Sequence, residues 1–147
     1  MSSGALALLI LVVCLKIGVG LWSVSYIVEA LRPVPPTPTT LRWAPEIPIR
    51  SVEIPGARLR YIVAGQGPTL VLLHTLRTQL DLFEQVVPEL ARSFTVYAPD
   101  LPGHGFSDIP PARYDAAFFA GAIAGFLDAL DLRAVTLAGV SIGAPPR

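Results

Sequence analysis

The chain has 147 residues with 11 basic and 11 acidic side chains and a sequence pI near 6.7, a balance that leaves no electrostatic footprint for nucleic acid. A single cysteine, Cys14, excludes an intramolecular disulfide. With two histidines there is no cluster at zinc-ligand spacing, and neither a metal nor a cofactor is expected.

Residues 5–28 form a largely apolar run in which Lys16 is the one charge. As a helix it would be about 36 Å long, against about 30 Å of bilayer hydrocarbon. Lys16 costs about 3 kcal/mol at the centre of a span, less than the summed gain from the surrounding Leu, Ile and Val residues. A cleaved signal peptide is the competing reading. No Lys or Arg precedes the run and no Ala-x-Ala site follows closely, so an uncleaved transmembrane helix or signal-anchor over residues 5–31 is expected. Arg32, Arg42 and Arg50 all lie after it, which places the rest of the chain on the cytoplasmic side of a single-pass membrane protein.

Residues 32–48 hold so many prolines that neither helix nor sheet is expected, and they read as a semi-stiff linker. From residue 49 to 147 the pattern alternates. Segments 50–54 and 58–64 flank Pro55-Gly56 and predict a hairpin. The run 69–74 (TLVLLH) predicts a strand buried on both faces, residues 80–91 a helix, 94–98 a second buried strand, 114–130 a second helix, and 134–140 (AVTLAGV) a third strand. Strands separated by helices give an α/β domain with a mostly parallel sheet, whose chemistry belongs at the strand carboxyl ends. Those ends are His74, Pro99-Asp100 and Ser141.

Gly139-Val140-Ser141-Ile142-Gly143 follows the last strand directly. A serine between glycines at a strand-to-helix junction can occupy a strained turn that projects its hydroxyl from the sheet, and a helix starting there would aim its N–H groups at a developing oxyanion. Outside that motif the bland readings prevail. Arg77 could meet an anionic substrate group but reads as a solvated loop charge, and Asp128 and Asp131 read as capping or solvated residues at a helix end.

Leu73-His74 ending one strand, Asp100-Leu101-Pro102-Gly103-His104-Gly105-Phe106-Ser107 after the next, and the GVSIG elbow occur in the order typical of α/β-hydrolases. Over residues 52–143 the chain resembles the N-terminal half of that fold, a partial α/β-hydrolase preceded by the apolar helix. The resemblance implies that Ser141 is the nucleophile, that the backbone N–H groups of Leu76 and Ile142 form the oxyanion hole, and that His74 and the loop bearing His104 are structural. It also implies a small-molecule acyl substrate. Thr75 departs from the pattern, because a β-branched residue replaces the family's usual glycine and resists positive φ.

A triad on this fold runs Ser, then Asp or Glu, then His, and only Ile142 to Arg147 follow the serine in this sequence. Ala144-Pro145-Pro146-Arg147 also departs from the small residues and continuing helix of the family. The expected function is therefore a membrane-anchored serine hydrolase for esters or related acyl compounds, present as an N-terminal fragment that is inactive alone. The alternative is a non-catalytic membrane-tethered interaction protein that keeps half of the hydrolase fold.

Overall fold

A computed structural model describes residues 3–33 and 36–141. The chain divides into two compact units, Met1–Pro36 and Thr37–Arg147. In the first, α1 (Ser3–Ala30) is a single helix of 28 residues, about 42 Å long. Its stretch Val12–Ala30 is long and apolar enough to cross a membrane, a property shared by signal sequences near an N-terminus. Ser23 returns its hydroxyl to the Val19 carbonyl at 2.8 Å, so the helix carries that polar group without exposing it unpaired.

The second unit is built on a five-stranded mixed sheet, β1 (Ile49–Ile54), β2 (Ala57–Ala64), β3 (Thr69–Leu73), β4 (Thr95–Pro99) and β5 (Thr136–Gly139), in the spatial order β1-β2-β4-β3-β5. The expected hairpin is present. Ile54 pairs with Ala57 across Pro55-Gly56, where proline presets φ and Gly56 adopts the positive φ (85°) that the second turn position requires. The hairpin attaches antiparallel to β4, with Tyr61 opposite Pro99, whereas β4, β3 and β5 run parallel. β3 therefore lies between β4 and β5, and its continuous apolar run is buried on both faces.

The helix expected over residues 80–91 is not continuous. It resolves into a 3-10 turn, Leu80–Phe83, and a one-turn helix α2, Val87–Leu90. Pro88 is the physical reason: it lacks the N–H that a helix running through residue 84 would need, and it is tolerated only in a first turn. Helix α3 (Ala116–Ala129) is regular. Asp115 caps it by accepting from the Phe118 N–H at 3.0 Å, and Phe119, Ala122, Ile123 and Phe126 share its buried face at helical spacing.

Each sheet face has its own core. Under α3 lie Ile54, Leu59, Tyr61, Val71 and Leu73, with the Tyr61 ring edge-on to Phe126 at 5.4 Å. Ile62, Leu70, Leu72, Val96 and Ala98 line the opposite face and meet Leu80, Phe83 and Val87. Full burial of each large apolar side chain contributes roughly 1.5–3 kcal/mol. Leu41 and Ala44 join this second core at 3% exposure each, and Trp43 Nε1 donates to Asp81 at 2.6 Å. Leu41, Trp43, Ala44 and Ile47 therefore pack onto the domain from within the stretch expected as a linker. Prolines restrict the backbone there without preventing the side chains between them from packing.

Candidate active site

The parallel strands β3, β4 and β5 run in one direction, so their carboxyl ends, and with them His74, Asp100 and Ser141, lie along the same edge of the sheet. His74 is fully buried. Its Nε2 accepts the Leu101 N–H at 2.9 Å, which leaves Nδ1 to carry the proton and donate to the Thr75 carbonyl at 2.8 Å. Burial holds the His74 pKa below the usual 6.5, outweighing the Thr75 hydrogen bond and the Asp100 charge, which raise it; His104 and Arg60 push it further down. The ring is thus neutral, with both nitrogens engaged, and serves as a brace.

Asp100, also fully buried, accepts three hydrogen bonds: Arg60 Nε at 2.6 Å, the Leu80 N–H at 2.7 Å and the Phe106 N–H at 3.0 Å. The loop after it curls back over its own carboxylate. Gly105 makes this possible, since its φ is positive (54°) and a Cβ there would run into the Asp100 carboxylate. Ser107 donates to the Asp100 carbonyl at 2.8 Å and accepts the Arg60 N–H at 2.9 Å, and the Asp108 carboxylate accepts the Arg58 N–H at 2.9 Å. His104 belongs to this loop. Its Nδ1 lies 3.0 Å from the Pro102 carbonyl, and its ring packs 5.4 Å from His74 and 6.1 Å from Phe119.

Arg60 is absent from the site as read from sequence. Along β2 the alternation sets Leu59 and Tyr61 on the α3 face and Arg60 with Ile62 on the opposite, also covered, face; Arg60 is 4% exposed, with its guanidinium 4.6 Å above the Phe106 ring and 3.5 Å from Gln79 Oε1. A signal for it existed: a carboxylate at a buried strand end requires a cationic or multiple-donor partner. Asp128 and Asp131 lie away from this network, paired with Arg133 on the exposed end of α3.

Ser141 is exposed and adopts a φ of 56°, just past the end of β5, where the Val140 N–H still bonds to the Leu73 carbonyl at 3.1 Å. A left-handed conformation costs a non-glycine residue roughly 1–2 kcal/mol and is characteristic of functional turns. Ile142, the second expected oxyanion donor, lies outside the described residues. Thr75 does not take up positive φ; that conformation falls on Arg77 (φ 60°), so the β-branched side chain is accommodated. The Thr75 carbonyl accepts from both His74 Nδ1 and Thr78 Oγ1, each at 2.8 Å. In a trans peptide the Leu76 N–H points opposite to that carbonyl, and among the described residues it has no acceptor.

This arrangement can present a hydroxyl and a free backbone donor at a sheet edge. Among the described residues neither imidazole bonds to Ser141, and no group of three His, Cys, Asp or Glu converges as a metal site. Residues 68–146 match the family model for the alpha/beta hydrolase fold. An uncharacterized protein of Mycobacterium tuberculosis is 39% identical over 99 residues, covering 67% of this chain and 28% of the relative. The 2-(acetamidomethylene)succinate hydrolase of Mesorhizobium japonicum is 35% identical over 95 residues, covering 65% of this chain and 34% of the relative. The crystal structure of an enol-lactonase from Burkholderia xenovorans superposes with a TM-score of 0.62 at 28% identity, over 64% of this chain and 38% of that one. The chain thus spans about a third of the length of the curated relatives it matches. With five strands in this order and the motif loops at their carboxyl ends, the chain belongs to the α/β-hydrolase fold family.

Proposed function

We propose that this chain carries the nucleophile-bearing N-terminal portion of a serine hydrolase acting on esters or related acyl compounds, tethered to a membrane by α1 with the hydrolase domain on the cytoplasmic side. The observation that carries the reading is Ser141, exposed in a strained left-handed conformation at the carboxyl end of a parallel strand. Ser141 attacks the acyl carbon, and the N–H groups of Leu76 and Ile142 receive the negative charge that develops on the carbonyl oxygen. A serine at this position also argues against branches of the fold that use a carboxylate nucleophile. The similarity to a 2-(acetamidomethylene)succinate hydrolase and to an enol-lactonase is compatible with acyl chemistry, but epoxide hydrolases are similar to the same degree, so the preference for acyl compounds rests on Ser141.

Both ring nitrogens of His74 are engaged, and His104, held at Nδ1 by the Pro102 carbonyl, makes no hydrogen bond to Ser141 among the described residues, so the reading assigns the acid and the base to groups outside the described residues. The test compares this chain, and a version extended through the downstream part of the domain, on simple aryl esters. The extended protein is expected to turn over, and Ser141→Ala to lower its kcat by about 10³-fold or more. Activity of the extended protein that survives Ser141→Ala would overturn the assignment. The membrane tether is tested separately: uncleaved chain recovered in the soluble fraction after alkaline extraction would remove that part of the proposal.

A further inference from the structure

Arg60 grips Asp100 from both ends. Its side chain donates to the carboxylate, its carbonyl accepts the Asp100 N–H at 2.8 Å, and its own N–H is joined to the Asp100 carbonyl through the Ser107 hydroxyl. With the carboxylate further fixed by Leu80 and Phe106, the peptide that follows Asp100 has little freedom, and it is this peptide whose N–H meets His74 Nε2. The bond selects one tautomer of the buried ring, and the proton on Nδ1 then holds the Thr75 carbonyl. The partner of that carbonyl within the same peptide unit is the Leu76 N–H. A continuous hydrogen-bonded path, buried as far as the imidazole, therefore runs from β2 through the Asp100 loop and the His74 ring to the more exposed turn after β3.

We propose that Arg60 is a positioning residue for the oxyanion-hole turn: by clamping Asp100 it fixes the His74 tautomer and, through it, the direction of the Leu76 N–H. The role of that N–H in catalysis rests on the proposed serine-hydrolase function, but the mechanical coupling does not. Hydrogen bonds joined in a low-dielectric interior polarise and constrain one another, so loosening one end is felt at the other.

The coupling is read without turnover, by nuclear magnetic resonance of the full chain in detergent micelles with nitrogen-labelled histidine. In the unaltered chain the two His74 ring nitrogens give widely separated resonances, as a single neutral tautomer requires. In Arg60→Gln these resonances are expected to converge as both tautomers become populated, and the Leu76 amide signal to shift or broaden while those of Gly56 and Gly121 stay in place. Arg60→Lys, which keeps the charge without the planar fork, should show the same selective change to a smaller extent, and it decides the matter if the Gln variant does not fold. A folded variant with unaltered His74 and Leu76 signals overturns the proposal. Loss of signal dispersion throughout the domain in both variants also overturns it, by assigning Arg60 to global stability alone. A hydrolase reading that failed in the ester assay would leave this result standing, so the two are separable.

Discussion

Asp100→Ala tests how much of the domain's stability passes through the site's supporting network. The substitution removes the 2.6 Å partner of Arg60, which is 4% exposed and keeps only the longer contacts to the Asp81 carboxylate at 3.9 Å and Gln79 Oε1 at 3.5 Å, and it orphans the Leu80 and Phe106 N–H groups. Breaking a buried ion pair by removing one member costs about 3–5 kcal/mol, and each buried donor left unmade about 1–3 kcal/mol more. These contributions are coupled and do not simply add, but a loss of about 4 kcal/mol or more is expected, against a total of about 5–15 kcal/mol for a domain of this kind. With a urea m-value of about 1–2 kcal/mol/M, the midpoint should fall by roughly 2–4 M, which for a marginal domain means no folded baseline at all. The full chain in detergent, followed by circular dichroism and by the fluorescence of Trp43, provides the assay. Asp100→Asn preserves an acceptor and should lose less. A midpoint for Asp100→Ala within about 0.5 M of the unaltered chain would refute the reasoning, since it would mean that Arg60 reaches water once released.

Two further outcomes concern stability. Because the folded pKa of His74 lies below the ordinary 6.5, the unfolded chain takes up a proton first as pH falls; stability is complete above pH 6.5 and declines below it by about 1.4 kcal/mol per unit until the folded pKa is reached. Urea titrations at pH 7.5 and 5.5 should show this decline, and a folded His74→Gln variant should lack its share. Phe126→Ala removes a fully buried ring and its edge contact with Tyr61, and should cost about 3–5 kcal/mol by the same measurement; a loss under 1 kcal/mol would mean that α3 is not held to the sheet by this side chain.

Much of the fold is legible in the sequence because its signals are local. Apolar runs of 4–8 residues without polar interruption mark strands covered on both faces, and β3 and β4 formed where TLVLLH and FTVYA stand. Pro55-Gly56 specifies its turn through two residues with restricted or permissive φ. The helix predicted over residues 80–91 is interrupted although its apolar spacing is helical, because the defect at Pro88 is a hydrogen-bonding one that periodicity does not register. Leu41 and Ala44 were hidden by the prolines around them.

The site divides along the same line. The sequence alone determined that a serine between glycines follows an apolar strand, that an aspartate opens a glycine-rich loop after another, and that a histidine ends a third, because backbone conformation and apolar patterning leave a residue-by-residue imprint. Only the tertiary structure decided that the hairpin pairs with β4, that Arg60 turns inward to meet Asp100, and that both nitrogens of His74 are already engaged. Apart from the His74–Thr75 contact, those facts join residues 27 to 40 positions apart. Nothing in the local pattern specifies which buried charge meets which partner; that is set when the sheet closes and desolvation leaves each polar group with only the neighbours the fold provides.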